Sequence, residues 1–116
     1  MFKQIIEGSA KILVPEETKV SKKLPVFYNP VMAFARTISV LLLNSLDKKD
    51  MQIALPLAGT GVRGIRFLLE LEKEKIKNIF FNDHSERAVE LIKKNIELNL
   101  PQERIFTSVQ EKIEKI

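Results

Sequence analysis

The feature that most limits the fold of this chain is a glycine turn with an apolar run before it and a helical pattern after it. Met51 to Leu57 is a short apolar run bounded by turn signals, and it reads as a buried parallel strand. Ala58-Gly59-Thr60-Gly61-Val62-Arg63-Gly64 follows, and the period of Ile65, Leu68, Leu69 and Glu72 predicts a helix from about Val62 to Glu74. Asn78 stops that helix, and Ile79-Phe80-Phe81-Asn82-Asp83 predicts a second buried strand. Ser85 caps a further helix, with Ala88, Leu91, Ile92 and Ile96 on one face and Pro101 at its end. Arg104 to Val109 reads as a third strand, and Glu111 to Ile116 as a short charged helix or frayed end. Strand, helix, strand, helix, strand in this order implies an α/β chain with a right-handed parallel sheet of the doubly wound type.

Upstream, residues 4–14 alternate around Glu7-Gly8, with Ile5-Ile6 before and Ile12-Leu13-Val14 after, which predicts a β-hairpin. Residues 15–25 carry Pro15, Pro25, Lys19, Lys22 and Lys23, with Lys11 just before, and read as a polar linker or surface loop. Asn29-Pro30 suits a helix start, with Asn as N-cap and Pro at the first helical position. The apolar run Val31 to Leu46 predicts a mostly buried helix that ends at Asp47-Lys48-Lys49-Asp50. No internal repeat is visible. The chain therefore divides into a hairpin and basic linker over residues 1–28 and an α/β unit over 29–116.

Composition removes several classes of chemistry. The chain has 116 residues, 45% of them hydrophobic and 29% charged, as in an ordinary folded domain rather than a disordered chain. There is no Cys, so disulfides, thiolate metal sites and Cys nucleophiles are excluded. His84 is the only His, so a Ser-His-Asp triad or poly-His site would have to be built around it. No apolar stretch is long enough to span a bilayer, and the N-terminus lacks the long apolar core of a secretory signal, so a cytoplasmic location is expected. A net charge of +4 permits a nucleic-acid partner without arguing for one. Heavy use of Lys, Glu and Ile leans toward a thermophile.

Gly59-x-Gly61-x-x-Gly64 sits where a ligand-binding turn belongs, after a strand and opening a helix. Glycine permits close backbone approach to a ligand at a helix N-terminus. Asp83 ends the next strand about 20 residues further on, where a ribose-binding carboxylate sits in nucleotide-binding α/β folds. The bland alternative is a tight turn plus a helix-capping Asp. Two ligands fit the pattern: a dinucleotide, whose pyrophosphate faces the turn, and S-adenosylmethionine, which carries a carboxylate instead. Arg36 is the only charged residue between Val31 and Leu46. Buried there, its guanidinium needs a partner. A ligand carboxylate is one, and a protein carboxylate such as Asp83 or Glu70 is another; spacing alone leaves both open.

Several stretches, in order, carry a family resemblance: Glu7-Gly8-x-Ala10-Lys11-Ile12, Pro25-Val26-Phe27-Tyr28-Asn29-Pro30-x-Met32-Ala33-x-x-Arg36, Ala58-Gly59-Thr60-Gly61-Val62-Arg63-Gly64-Ile65-Arg66, Asn82-Asp83-x-Ser85 and Asn95-x-x-Leu98-Asn99. Together they resemble the N-terminal half of the tRNA (guanine-26 N2)-dimethyltransferase family. The resemblance implies a Rossmann-like class I methyltransferase sheet, here incomplete with about three parallel strands and preceded by the hairpin. It implies S-adenosyl-L-methionine as cofactor, tRNA as partner and 29–116 as the cofactor-binding half. It implies a cofactor site of Arg36, Gly59, Thr60, Gly61, Arg63 and Asp83, with Arg36 near the amino-acid end of the cofactor and Asp83 on the ribose hydroxyls.

Departures from the family pattern are as informative. Leu55 stands where the first strand usually ends in an acidic residue. Thr37 stands where an acidic residue usually follows the arginine, and Ala35 where Asn is common before it. The family's catalytic Asp-Pro-Phe-Gly motif does not occur in these residues, so no catalytic or metal-binding residue is expected and the portion is expected to be incomplete alone. The rival reading is a degenerate or split homologue that binds a partner chain or RNA, because three strands leave an open sheet edge for a separate C-terminal half or self-association. A nicotinamide-dependent oxidoreductase rests on the glycine turn alone. Among weaker signals, His84 reads as a loop residue, Phe80 and Phe81 as core, Tyr28 and Phe27 as packing or cleft wall, and the lysines at 11, 19, 22 and 23 as a solvated surface.

Overall fold

The computed structural model describes residues 2–16, 26, 28–99 and 107–110. Of the expected linker over 15–25, residues 17–25 lie outside the described residues, as do the start of the expected third strand, the tail at 111–116, Phe27 and Pro101, while Pro15 belongs to the second strand of the hairpin instead. The hairpin forms as expected. β1 (Phe2–Glu7) and β2 (Ala10–Pro15) pair antiparallel, from Phe2 opposite Pro15 to Glu7 opposite Ala10, across the turn Gly8-Ser9. Gly8 has φ +56°, and a Cβ there would meet Arg66 Nε and Glu70 Oε2 at 2.6 Å, so both the backbone and the space call for glycine. Ala10, Ile12 and Val14 turn inward and are buried, while Lys11 faces solvent.

Asn29 caps the next element as its chemistry suggests, its side-chain oxygen accepting the Val31 N–H at 3.0 Å. A 3₁₀ turn over Pro30–Met32 leads into α1 (Ala33–Ser45). The expected burial of this helix is not met. Only Arg36 and Val40 are buried along α1, and Phe34, Ile38, Leu41 and Leu42 are exposed. An apolar run shows that a helix can be covered on every side; the described residues pack it against α2 and, at Arg36, against Glu7 of β1, and leave Phe34, Ile38, Leu41 and Leu42 uncovered.

The remaining order is β3 (Met51–Leu55), α2 (Val62–Glu70), β4 (Ile76–Asn82), α3 (Glu86–Asn99) and β5 (Thr107–Gln110). The three strands form a parallel sheet in the order β3-β4-β5, with Leu55 beside Phe81 and Phe81 beside Val109. β3 is therefore an edge strand among the described residues and is only half-buried, not buried as expected. It stops at Leu55 because Pro56 has no N–H to give the ladder. α2 stops at Glu70, earlier than its apolar period suggests. Leu71 turns to an extended conformation and is itself buried, and a 3₁₀ turn at Lys73–Lys75 follows. The Asp50 N–H donates to the Glu74 carbonyl at 2.9 Å, which holds that turn beside the start of β3. β4 then begins at Ile76, and Asn78 lies inside the strand opposite Gln52 instead of ending a helix.

α2 and α3 pack on each other and on β2. Ile12, Ile65, Phe67, Ile79, Phe81, Ile92 and Ile96 form the core between them and the sheet. Gly64 lets α2 sit close to the strands, since a Cβ there would lie 2.6 Å from Leu55 Cδ1 and crowd the Phe81 ring. α3 ties down the hairpin with two asparagines. Asn95 Oδ1 accepts the Leu13 N–H and Asn99 Oδ1 the Lys11 N–H, both at 2.8 Å, while their amide groups donate to the carbonyls of the same two residues. Four helical residues rise about 6 Å and two strand residues about 6.6 Å, so the two side chains meet the strand edge in step. Asn95 also donates to the Thr60 carbonyl at 2.9 Å, which links the hairpin to the glycine turn.

Candidate cofactor site

A cleft of about 640 Å³ opens at the carboxyl ends of β3 and β4, where parallel α/β sheets bind their ligands. Its floor is the turn after β3, from Leu55 to Thr60. Asp83, His84 and Ser85 after β4 form one wall, and Tyr28, Asn29, Met32 and Arg36 form the other. The turn is built for this position. Gly59 and Gly61 have φ of +59° and +83°, the left-handed region that favours glycine. Gly61 then caps α2 directly.

Five of the six residues singled out in the sequence line the cleft: Arg36, Gly59, Thr60, Arg63 and Asp83. Gly61 does not line it; its Cα faces inward, and a Cβ there would touch Ile92 at 3.4 Å. Thr60 is buried, and its hydroxyl accepts the Val62 N–H at 3.3 Å, so its side chain braces the turn. Asp83 Oδ2 accepts the Gly59 N–H and Oδ1 the Ser85 N–H, both at 3.0 Å. One carboxylate thus fixes the glycine turn against the start of α3, and each oxygen keeps a second lone pair. Arg63 Nη1 donates to Ser39 Oγ at 2.6 Å and makes no ion pair among the described residues. The lone His84 is largely exposed, 3.6 Å from Asp83 Oδ1.

The partner of Arg36 is a carboxylate that spacing did not suggest. Glu7, at the end of β1, accepts from Arg36 Nε at 2.8 Å and from Nη2 at 2.6 Å. Tyr28 Oη donates to the same carboxylate at 2.8 Å, and the Arg36 guanidinium lies 5.0 Å from the Tyr28 ring centroid. Arg66 Nη1 reaches Glu7 Oε2 at 3.2 Å and holds Glu70 by a second fork, with Nε at 2.6 Å and Nη2 at 3.0 Å. Thr37, at a position where the family pattern has an acidic residue, accepts from Arg66 Nη1 at 3.0 Å. Glu7, Arg36 and Arg66 are all buried, and with Glu70 they make a cluster of two cations and two anions. A usable signal was present: Glu7 shares the inward face of β1 with Ile5, and a carboxylate facing inward needs a cation.

Proton affinities follow from these contacts. Burial opposes the charge on Glu7, but the hydrogen bonds from Arg36, Tyr28 and Arg66 outweigh it and hold its carboxyl below the usual range. The Arg66 fork lowers Glu70 against the opposing effect of burial, and the same fork raises Arg66. Burial and the hydrogen bond to Glu7 push the Tyr28 hydroxyl up to about 12.

A family model for N2,N2-dimethylguanosine tRNA methyltransferase matches residues 8–113. The chain belongs to that family. A tRNA (guanine(26)-N(2))-dimethyltransferase of Pyrococcus furiosus is 50% identical over 96 residues, which are 83% of this chain and 24% of that protein. A tRNA (guanine(26)-N(2)/guanine(27)-N(2))-dimethyltransferase of Aquifex aeolicus is 46% identical over 103 residues, 84% of this chain and 26% of its own length. Trm1 of Pyrococcus horikoshii, solved in complex with S-adenosyl-L-methionine, superposes with a TM-score of 0.71 at 45% identity, covering 84% of this chain and 24% of that one. Trm5b of Pyrococcus abyssi, at 16% identity and a TM-score of 0.69, shows the same Rossmann-like fold. The chain spans about a quarter of the length of the curated relatives it matches.

The ion cluster gives the family fold a definite pH response. Glu7 and Glu70 are lowered by folding, so they stabilise the protein fully above the ordinary value of 4.5, and this is lost as pH falls through their folded values. Tyr28 is raised, so its contribution is full below 10 and is lost as pH rises toward 12. Thermal melts across pH are expected to show a plateau that falls at both ends, with Glu7→Gln flattening the acid limb and Tyr28→Phe the alkaline one. An acid limb that Glu7→Gln leaves unchanged contradicts the assignment.

Proposed function

We propose that the chain is the cofactor-binding N-terminal portion of a tRNA guanine-N2 methyltransferase, binding S-adenosyl-L-methionine for methyl transfer to guanine 26 of tRNA. The observation that carries this reading is the convergence of Arg63, Asp83 and the glycine turn on one cleft at the carboxyl ends of β3 and β4, in a member of this family. The volume of about 640 Å³ suits a nucleoside-sized ligand. Residues 29–116 form the cofactor-binding half in this reading, preceded by the hairpin and basic linker of 1–28. Among the described residues no helix is long and apolar enough to cross a membrane, and the reading places the protein in the cytoplasm with tRNA.

The residues fit the cofactor in chemical terms. Arg63, which makes no ion pair among the described residues, supplies the positive charge for its carboxylate. Asp83 offers its remaining lone pairs to the ribose hydroxyls, and Pro56 and Leu57 give an apolar surface for the base. Bound there, the cofactor supplies an electrophilic methyl group on a sulfonium. The protein's part in this segment is to bind and orient: Asp83 locks the turn, the turn presents close backbone, and the Tyr28–Arg36 wall shields the cleft from one side. No residue of this segment is assigned to accept or move the substrate proton.

Calorimetric titration with S-adenosyl-L-methionine, with NAD as control, tests the reading. Saturable binding of the first alone is expected. Asp83→Ala and Arg63→Ala are each expected to weaken it roughly 10-fold or more, from the loss of a charge-assisted contact. NAD binding of equal strength, or affinity unchanged in both variants, overturns the assignment. The finer proposal for partners is self-association, or a separate C-terminal half, through the edge of β3 that no described strand pairs with and the apolar face of α1. It predicts that the chain alone sediments as a concentration-dependent oligomer and that Phe34→Glu with Leu41→Lys returns it to monomer. A parent chain that stays monomeric at all concentrations removes self-association.

A further inference from the structure

We propose that Glu7 is a positioning residue of the cofactor cleft, orienting the guanidinium of Arg36 so that a single nitrogen, Nη1, is left to meet a ligand carboxylate. The proposal rests on the functional reading above and deepens it. It begins from which edges of Arg36 are taken. Nε and Nη2 are held by the Glu7 carboxylate, and Nη2 also donates to the Asn29 carbonyl at 3.1 Å. One face lies over Tyr28, whose hydroxyl is pinned by the same carboxylate. Among the described residues Nη1 makes no hydrogen bond, and Arg36 is part of the cleft wall. A guanidinium has five N–H donors in a rigid fork, so fixing the Nε–Nη2 edge fixes the direction of Nη1.

Docking of the hairpin has supports besides this arm of Glu7. Asn95 and Asn99 hold β2, its apolar residues sit in the shared core, and the Ser9 N–H donates to Glu70 at 3.3 Å. Arg66 also reaches Glu7 from α2 without involving the cleft. The Arg36 and Tyr28 contacts act directly on the cleft wall. Glu7 also cancels the charge of Arg36, so Arg36 favours a carboxylate through the aim of Nη1, while Arg63 brings the net charge. A ligand that carries a carboxylate feels the loss of Glu7, and one that lacks it does not.

The test compares S-adenosyl-L-methionine with 5′-methylthioadenosine, which keeps the nucleoside and the sulfur but has no amino-acid carboxylate. Titrations of the parent chain, Glu7→Gln and Glu7→Asp are read as the ratio of the two affinities. Glu7→Gln is expected to weaken S-adenosyl-L-methionine roughly 10-fold or more and to leave 5′-methylthioadenosine within about 2-fold. Glu7→Asp keeps the charge one methylene further back, and it is expected to show the same selectivity loss in smaller degree. Should Glu7→Gln fail to fold by circular dichroism, Glu7→Asp decides the question alone. Equal weakening of both ligands, or no change in either, overturns the positioning role while the functional reading stands. A parent chain that binds neither ligand overturns the functional reading, and this proposal falls with it.

Discussion

The interaction on which the rest of the structure depends is the buried network joining Glu7 to Arg36 and Arg66. It connects three elements remote in sequence: the end of β1, the first turn of α1 and the middle of α2. A buried ion pair adds little net stability over an apolar substitute, but removing one member leaves a bare charge and costs about 3–5 kcal/mol. Such a network therefore fixes geometry more than it adds stability. Here it fixes where α1 sits against α2, and thereby where the Tyr28–Arg36 wall of the cleft stands. Glu70 and Thr37 accept further bonds from Arg66, so Arg66 is held from α2 and α1 as well as from the hairpin.

The second constraint is the glycine turn, and it acts through what glycine leaves out. Gly59 and Gly61 adopt left-handed backbone, and Gly64 brings α2 onto Leu55 and Phe81. Asp83 closes the turn from the neighbouring strand by taking the Gly59 N–H, and Asn95 holds the Thr60 carbonyl from below. The turn is thus held from β4 and α3 at once. A cleft floor supported this way is formed before any ligand arrives, which lowers the ordering cost of binding.

Local patterns proved legible where the physics is local. The hairpin, the Asn29 and Ser85 caps, the start of α2 at Val62 and the inward face of α3 all follow from spacing and side-chain chemistry, although the turn falls at Gly8-Ser9, one residue past its expected centre. Burial did not follow, because it depends on what packs against an element. Phe34 and Leu41 read as core and lie exposed, and β3 reads as buried but lies at a sheet edge. The end of α2 departs from its period for a related reason: Leu71 keeps the apolar period but enters the core from an extended backbone. Arg36, Arg63 and Asp83, which the family resemblance assigns to the cofactor, line the cleft. Spacing does not point to Glu7, because it lies 29 residues from Arg36 and 59 from Arg66, and only the fold brings them together. Asn95 and Asn99 were visible as part of a family motif, but their bonds to the hairpin backbone needed the packing of α3 on β2.

The account's central claim is that the cleft is preformed, with Arg36 held on Glu7 before and after ligand binds. Nitrogen-labelled NMR of this chain, titrated with S-adenosyl-L-methionine, reads it directly. The Arg36 Nε–H signal is expected to be protected in the free protein and to stay so at saturation, while the amides of Gly59, Thr60 and His84 shift with ligand. An Nε–H signal that exchanges freely before ligand is added, or shifts confined to the exposed face of α1, would contradict the account.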